Sequence, residues 1–466
     1  MNKNPSKSSK NQIVEMAVTR PNAAGIDIGS TFHAVAVPPG RDEPRVRRFG
    51  AMTSDLREMV DWLKKCGIQS VAMESTGVYW KSVFTTLVEN GFEALLVNAT
   101  HLKNVTGRKT DEDDAMWIQK LHSCDLLKSS YLPDDEQSAL RTLVRFRRTL
   151  TEDYSRCVLR MQKSLELMNI KVYTVIKDIT GVTGIKIIEA ILEGERNPIN
   201  FLPFVDYRIK ADRETIVKSL EGNWREEHLF TLRSSYHIFN SYKQQIAQVD
   251  QQIEQHLQRY EARQNEGFLE TLAENQAIKK PASKKKNKNS PCADIRKYLY
   301  HIHGVDVTEI YGIGELSALQ IFGETGTDLS KWENEKKFIS WLNLCPNNKV
   351  TGGKVFSSRL MKKRPNIASQ AFRQAANGLS KSDHWLGDYF RRMKAKGGNK
   401  YAIVATANKL ATIYYKMVRY KQTFKPVDQN QYQQKYKEAK INYLERKLQK
   451  LKNEMTKTVT EPQAVI

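Results

Sequence analysis

The sequence predicts an α/β unit at the N-terminus followed by a mainly helical remainder. Between residues 21 and 130, short apolar runs rich in Val, Ile and Ala alternate with stretches that carry apolar residues at helical spacing. Beyond residue 131 the apolar positions recur mostly at helical spacing. The chain of 466 residues is long enough for two or three domains. The predicted fold class is therefore α/β plus α.

The N-terminal elements follow one another in a diagnostic order. In that order we predict strands at 24–28, 32–38 and 46–49, a helix at 54–65, a strand ending at Glu74, a helix at 78–89, a strand at 94–97, and a helix after Thr110. Three strands followed by alternating helices and strands are typical of a ribonuclease-H-like (RuvC-like) mixed sheet. In that architecture, by analogy of fold, acids on the first strand, the fourth strand and the last helix meet at one site.

Four carboxylates occupy those positions. Asp27 interrupts an apolar run and Glu74 ends another, and a carboxylate on a buried strand is costly unless it is paired or binds a metal. Asp111 and Asp114 are three residues apart, so one helix face presents both. Oxygen ligands of this kind suit a hard cation, and we predict that the four acids bind Mg²⁺.

Two other interpretations of these stretches remain open at this point. The acidic run is also what a well-capped helix requires, with Thr110 as N-cap and Asp113 completing a capping box. The segment 25–31 is also similar to the phosphate loop of an actin-like sugar kinase. The C-terminal half offers no second Asp-x-Gly turn and no glycine-rich adenosine segment, which weighs against a kinase.

Charge and composition point to a polyanion as partner. Lys and Arg number 74 against 52 Asp and Glu, a formal net charge of +22, which favours nucleic acid over a membrane surface. No run is long and apolar enough to span a bilayer, and residues 1–20 lack the apolar core of a signal peptide. The five cysteines have no zinc-like spacing, so we expect reduced thiols and a cytoplasmic protein.

The middle of the chain predicts two long helices and a linker. The first helix, 136–169, follows a break at 133–135. Its arginines are candidate phosphate contacts or, alternatively, a solvated face; the candidates are Arg141, Arg145 and Arg148. The second helix, 226–262, has near-heptad apolar spacing that suits a coiled coil, either between two copies or within one chain. The basic segment 279–292 is predicted to be a disordered linker.

The C-terminal part contains two glycine-rich stretches. Gly312 and Gly314 precede an apolar helix, which suits either a phosphate contact at a helix N-terminus or a plain helix-turn-helix corner. Helices are predicted at 335–343, 366–380 and 400–419, and a tail helix at 430–455 whose apolar stripe is typical of a coiled-coil seam or a docking helix. The stretch between the predicted helices 335–343 and 366–380 contains four candidate nucleic-acid contacts: Gly352, Gly353, Lys354 and Arg359. A flexible basic loop is the alternative there.

Several motifs together resemble a known family. They are Gly-Ile-Asp-Ile-Gly at 25–29, Glu-Ser-Thr-Gly at 74–77, Lys-Thr-Asp-Glu-Asp-Asp-Ala at 109–115, Tyr-Gly-Ile-Gly at 311–314, Leu-Cys-Pro at 344–346 and Thr-Gly-Gly-Lys at 351–354. The chain resembles the bacterial insertion-sequence transposases of the DEDD type, which have a RuvC-like N-terminal domain and a C-terminal serine-type transposase domain. The resemblance implies an enzyme that moves a DNA element by cleavage and strand exchange of double-stranded DNA. It also implies a structured non-coding guide RNA, a covalent protein–DNA intermediate and a homo-oligomer, dimer or tetramer.

The resemblance also assigns roles to residues. Its acidic quartet corresponds to Asp27, Glu74, Asp111 and Asp114. The nucleophilic serine of the family falls on Thr351, which has a hydroxyl but a stiffer, bulkier side chain. Two other possibilities remain: Ser357 or Ser358 replaces it, or this copy binds nucleic acid and is catalytically impaired.

Taken together, these patterns predict six segments. They are a disordered tail at 1–20, a RuvC-like domain at 21–130, a helical coiled-coil region at 131–278, a basic linker at 279–292, a transposase domain at 293–425, and a C-terminal helix and tail at 426–466.

Overall fold

A computed structural model describes residues 17–75, 77–97, 110–268, 289–291, 293–361 and 366–459. The chain divides into two compact units, with the boundary between Leu132 and Pro133. None of the described helices is long and apolar enough to cross a membrane. The predicted disorder of most of the N-terminal tail and of residues 279–288 in the linker concerns residues outside the described ranges.

The first unit contains the predicted strands and helices, with ends shifted by at most two residues. They are β1 (Ala23–Ile28), β2 (Phe32–Ala36), β3 (Val46–Gly50), α1 (Thr53–Lys65), β4 (Ser70–Glu74), α2 (Trp80–Glu89), β5 (Glu93–Val97) and α3 (Asp111–Ser123). The mixed α/β fold predicted for this part of the chain is confirmed.

The five strands form one mixed sheet in the order β3-β2-β1-β4-β5. The first three strands are antiparallel neighbours, whereas β4 and β5 run parallel to β1. One face packs Ile26 and Val35 against Met59 and Leu63 of α1 and against α2. The other face is covered by α3, which buries small side chains of β2 beneath Ala115. Because alternate residues of a strand point to opposite faces, β1 offers one set of side chains to each layer.

The second unit is almost entirely helical. Its helices are α4 (Asp135–Leu167), α5 (Val182–Glu193), α6 (Arg213–Ser219), α7 (Glu226–Phe268), α8 (Ile295–His303), α9 (Glu315–Thr325), α10 (Glu335–Trp341), α11 (Ile367–Gly378), α12 (Trp385–Tyr420) and α13 (Gln429–Val459). Short 3₁₀ turns lie at 172–174, 198–204, 307–309 and 379–381. The described part of this unit has two strands, β6 (Asn347–Thr351) and β7 (Lys354–Arg359), which pair only with each other.

The two long middle helices pack side by side within the chain. Near the start of α4, Gln137 accepts a hydrogen bond of 2.9 Å from Tyr260 of α7. Near its end, the hydroxyls of Ser164 and Thr231 lie 3.0 Å apart. Residues early in α4 contact residues late in α7 and residues late in α4 contact residues early in α7, so the two helices are antiparallel. The apolar stripe of α7 therefore serves the intramolecular pairing, one of the two arrangements that its spacing allows.

A buried ion pair joins these two helices. The Arg147 guanidinium binds both carboxylate oxygens of Asp250 and donates a further hydrogen bond of 3.1 Å to the carbonyl of Asn289. Both charged side chains are 4% exposed. Removing one partner of such a pair leaves an uncompensated buried charge.

We expect Asp250→Ala to lower the free energy of unfolding of the second unit by about 3–5 kcal/mol, because the Arg147 charge loses its partner in a dry environment. Chemical denaturation followed by circular dichroism measures the loss. The double variant Arg147→Met/Asp250→Leu is the matched control and should recover most of the stability. If Asp250→Ala unfolds at the parental denaturant concentration, the pair does not stabilise the α4–α7 contact.

The C-terminal helices differ from prediction in one place. The helix predicted at 400–419 is the second half of α12, whose first half begins at Trp385. The backbone leaves helical geometry at Gly397 and Gly398, and this kink separates the two halves of α12. In the sequence, a pair of glycines at this place indicates the end of a helix.

The tail helix α13 is attached to α12 near its start. Gln429 and Gln433 donate hydrogen bonds to Asp388 of α12, at 3.0 and 2.8 Å. Farther along, the predicted apolar stripe is about half exposed at Ile441 and Leu448. Its role as a seam or docking helix stays a prediction.

Candidate functional site

Two of the predicted acids stand on neighbouring strands. Ile26 of β1 pairs with Met73 of β4 in the parallel part of the sheet. The next residues along are Asp27 and Glu74, so the two acids lie at the same level of adjacent strands. Asp27 is two residues beyond Gly25 and therefore points to the sheet face that α3 covers.

Gly25 explains why α3 comes so close to β1. A Cβ atom at Gly25 would lie 2.3 Å from the backbone nitrogen of Gln119 and 2.6 Å from the carbonyl oxygen of Ala115. No side chain fits in that space, so only glycine lets the helix backbone rest on the strand. The Gln119 amide also donates a hydrogen bond of 3.2 Å to the carbonyl of Ala23. Since Gln119 faces Ala23 and Ala115 faces Gly25, α3 runs antiparallel to β1 and its first turn points towards Asp27.

In the first turn of α3, Asp113 forms part of the helix cap and Glu112 forms an ion pair. The backbone N–H of Asp113 donates to Thr110 Oγ1 at 3.1 Å, and the Thr110 hydroxyl donates to Asp113 Oδ2 at 2.7 Å. This is the predicted N-cap, which satisfies an otherwise unpaired donor at the helix start. Glu112 forms an ion pair of 3.2 Å with Arg48 of β3. The cap and the acidic site therefore coexist in one turn and are not alternatives.

Asp27 responds electrostatically to the three other members of the quartet. Burial raises the pKa of Asp27, and repulsion from Asp111, Asp114 and Glu74 raises it further, to about 6. A hydrogen bond from the backbone of Ile28 opposes the shift only in part. A carboxyl whose pKa is raised by both burial and like charges is characteristic of functional sites. The sequence-predicted quartet is thus brought within electrostatic reach of one strand acid.

The donor chemistry of the quartet suits a divalent cation, although the ion site is not preformed. Among the described residues, no group of three or more His, Cys, Asp and Glu side chains is already arranged to hold a metal ion. The quartet offers only carboxylate oxygens, which magnesium and calcium prefer. A divalent cation would relieve the repulsion that Asp27 receives from the three other acids and that raises its pKa.

The glycine-rich stretch around Thr351 forms a β-hairpin, not the basic loop that was considered as an alternative. Thr351 pairs with Lys354 across a two-residue turn of Gly352 and Gly353. Both glycines have positive φ, +55° and +75°, as a tight hairpin turn requires. Thr351, the predicted nucleophile, is exposed at the end of β6 next to this turn. Of the alternative serines, Ser358 donates a hydrogen bond of 2.7 Å to Asn348 and Ser357 is half-buried.

The hairpin also exposes apolar side chains that the sequence analysis missed. Val350 and Val355 are each 58% exposed and Phe356 is 83% exposed. The signal was available: a glycine pair flanked by β-branched residues predicts a hairpin with a two-residue turn.

Two predicted phosphate-contacting arginines are engaged with an internal acid. Glu324 at the end of α9 is buried and receives Arg141 at 2.7 Å and Arg145 at 2.8 Å. Burial raises the pKa of Glu324, but the hydrogen bond and charge of Arg145 and the charge of Arg141 outweigh burial, so the pKa lies below its ordinary value. The two ion pairs thus connect α4 to α9, and nucleic-acid binding by Arg141 and Arg145 stays a prediction.

Three further predicted nucleic-acid contacts are Arg148, Gly312 and Gly314. Arg148 forms an ion pair of 3.0 Å with Glu152 and is a quarter exposed. Gly312 has a positive φ, and a Cβ atom there would lie 2.9 Å from the carbonyl oxygen of Ala375, so its glycine has a packing reason. Gly314 caps the N-terminus of α9 and has open space around it.

The cysteines contribute no disulfide to the described part of the chain. Cys66, Cys124, Cys157 and Cys345 form no disulfide bond in the structure. Cys292 lies outside the described residues.

Comparison with known families covers both units. Residues 24–170 match the family model named for the DEDD transposases of IS110 and described as a transposase. Residues 306–391 match the model described as the transposase IS116/IS110/IS902 family. No curated protein matches the chain. The first match contains the carboxylate quartet and the second contains the hairpin with Thr351, and the transposase matches decide against the sugar-kinase alternative. The chain therefore belongs to the IS110-type family of transposases.

Proposed function

We propose that this transposase cleaves and exchanges strands of double-stranded DNA in a metal-dependent reaction, using a guide RNA and a covalent protein–DNA intermediate. The observation that carries the proposal is that Asp111, Asp114 and Glu74 lie close enough to Asp27 to repel its carboxylate and raise its pKa. Membership of a transposase family supplies the class of reaction.

The fold that we propose for the first unit is ribonuclease-H-like. The strand order β3-β2-β1-β4-β5, with three antiparallel strands and two parallel additions, supports it. So does α3, which places its first turn beside the end of β1. In such a fold, acids from β1, β4 and α3 would share one face of the sheet.

The quartet would hold Mg²⁺, which supplies charge neutralisation and polarisation at a scissile phosphate. The residues of this chain prepare that task in distinct ways. Asp27 and Glu74 lie on adjacent strands of the sheet, whereas Asp111 and Asp114 lie in the capped first turn of α3. Ligands that are supported by strands and helices can be positioned more precisely than ligands on loops, and electrostatic catalysis benefits from such positioning.

Thr351 is the nucleophile that we propose for the covalent step. Its Oγ1 would form a bond to phosphorus as the bond between phosphorus and one deoxyribose oxygen breaks, and the hydroxyl proton would finally reside on the released sugar oxygen. Three observations support Thr351 over Ser357 and Ser358: it is exposed, it adjoins the glycine turn, and it stands opposite Lys354. An ammonium opposite the attacking oxygen can neutralise the phosphate.

The proposed partners are DNA, a structured RNA and further copies of the chain. The net charge of +22 supports polyanion binding. The exposed apolar stripe of α13 supports a homo-oligomer, because such a stripe is stabilised when a second helix covers it.

We expect a defined RNA to copurify with the protein from cells that carry the element and its flanking DNA. Sequencing of the bound RNA should return one transcript from the non-coding end of the element. A protein of similar size and basic charge, purified in parallel from the same cells, is the control for non-specific RNA. Recovery of only the bulk cellular RNA that the control also carries would contradict the guide-RNA part of the proposal.

A further inference from the structure

Three features of the β6–β7 hairpin indicate an interaction surface. Its two strands pair with each other and with no other described strand. Every residue of it except Ser357 is exposed. Val350 and Val355 stand directly opposite each other, and Phe356 adjoins them. A two-stranded ribbon is marginally stable in water on its own, so an exposed apolar cluster on it marks an interaction surface.

A bulge brings the aromatic ring to this position. Val350 pairs with Val355, but Lys349 pairs with Ser357, so Phe356 is an extra residue on β7. Bulges of this kind bend a strand and redirect a side chain. The Phe356 ring is 83% exposed, the most exposed phenylalanine among the described residues.

The charge around the hairpin selects the kind of partner. From residue 336 to residue 382 the sequence contains ten Lys and Arg and no Asp or Glu. On the hairpin itself, Lys349, Lys354 and Arg359 flank the apolar cluster. An apolar cluster inside an entirely cationic segment is complementary to a polyanion with apolar surfaces between its charges, and base steps of nucleic acid have that chemistry.

We propose that this hairpin enters a groove of double-stranded DNA and that Phe356 inserts against a base step, with Val350 and Val355 as its apolar support. A two-stranded ribbon fits the major groove of B-form DNA, whereas the deep, narrow groove of an RNA duplex excludes it. Apolar side chains inserted between base pairs unstack and kink the duplex. The inference rests on the proposed function for the identity of the DNA, and it adds a wedge that distorts the duplex next to Thr351.

The salt dependence of binding separates the wedge from the charges. The probe is a duplex that spans one end of the insertion sequence and its flanking DNA, titrated without divalent metal between about 50 and 200 mM salt. We expect Phe356→Ala to weaken binding about tenfold at every salt concentration, with an unchanged slope, because no phosphate contact is lost. Lys354→Gln should reduce the slope by about one. Phe230→Ala removes a ring that is 68% exposed on α7 and should change neither quantity.

A fluorescent variant reports the insertion directly. The parental protein has seven tryptophans of its own, so the signal is the difference from the parental protein. Phe356→Trp should lose additional emission when the DNA duplex is added, because the indole stacks on a base, and should respond much less to an RNA duplex of the same sequence. Parental affinity of Phe356→Ala, or equal quenching by the RNA duplex, would overturn the proposal. A blue shift that grows with protein concentration without DNA would overturn it too, because the hairpin would then be covered by a second copy. The measurement needs no cleavage, so an inactive quartet leaves its outcome unaffected.

Discussion

The variant Asp27→Asn should lose strand cleavage by about 10²–10³-fold or more, while its affinity for DNA stays near the parental value. Removal of one preorganised electrostatic group from an active site has an effect of this size. Asp27 is the half-buried strand acid whose pKa the three other acids raise, so it lies at the electrostatic centre of the quartet. The measurement is formation of recombinant junctions from a plasmid that carries both ends of the element, together with a binding titration of the same duplex.

Glu112→Gln is the matched control for that experiment. It removes one carboxylate charge from the same first turn of α3, but from a side chain that pairs with Arg48 at 3.2 Å. We expect this variant to recombine at close to the parental rate. Parental recombination by Asp27→Asn would show that the carboxylate is not required, and equal loss in both variants would attribute the effect to the charge of the helix turn.

Substitution of Thr351 has the second large effect. Thr351→Val keeps the β-branched shape and removes the hydroxyl, so we expect no covalent protein–DNA adduct and no detectable recombination. Thr351→Ser removes only the methyl group, and it should give at least parental activity because an unbranched hydroxyl is less restricted at χ1. The adduct is measured as a protein–DNA band that persists in denaturant, with the linked peptide identified by mass.

Ser358→Ala controls for the alternative nucleophile. Its hydroxyl donates to Asn348 across the hairpin, so the variant should retain the adduct. An adduct that survives Thr351→Val and disappears in Ser357→Ala or Ser358→Ala would move the nucleophile along the hairpin. If the parental protein forms no adduct but Thr351→Ser does, the natural threonine impairs this copy, as the sequence analysis allowed.

Local pattern was sufficient to predict the strands and helices of the first unit. Alternating and helical periodicities placed its strands and helices, and an acid inside an apolar strand drew attention to Asp27. The approach of α3 to β1 was not predictable from local pattern, because it depends on the missing Cβ of Gly25 meeting the backbone of Ala115 and Gln119. Contacts between residues some ninety positions apart leave little trace in a single sequence.

The second unit shows the same limit more clearly. The heptad-like spacing of α7 serves equally well for a dimer seam and for a partner within the chain, and only the contacts with α4 distinguish them. Arg141 and Arg145 have the sequence pattern of phosphate contacts, yet Glu324, far along the chain, receives both. Charge spacing identifies where cations lie but not which distant carboxylate returns to meet them.

The most direct test of the central claim is the effect of Mn²⁺ on thermal unfolding. An ion that binds only the folded quartet raises the unfolding temperature in proportion to ln(1 + [ion]/Kd). We predict a clear rise for the parental protein, for Glu112→Gln and for Thr351→Val, and none for Asp27→Asn. Without the ion, Asp27→Asn should unfold at or above the parental temperature, because it removes repulsion with Asp111, Asp114 and Glu74. An equal rise with Mn²⁺ in Asp27→Asn and in the parental protein would contradict a shared cation site at these four acids.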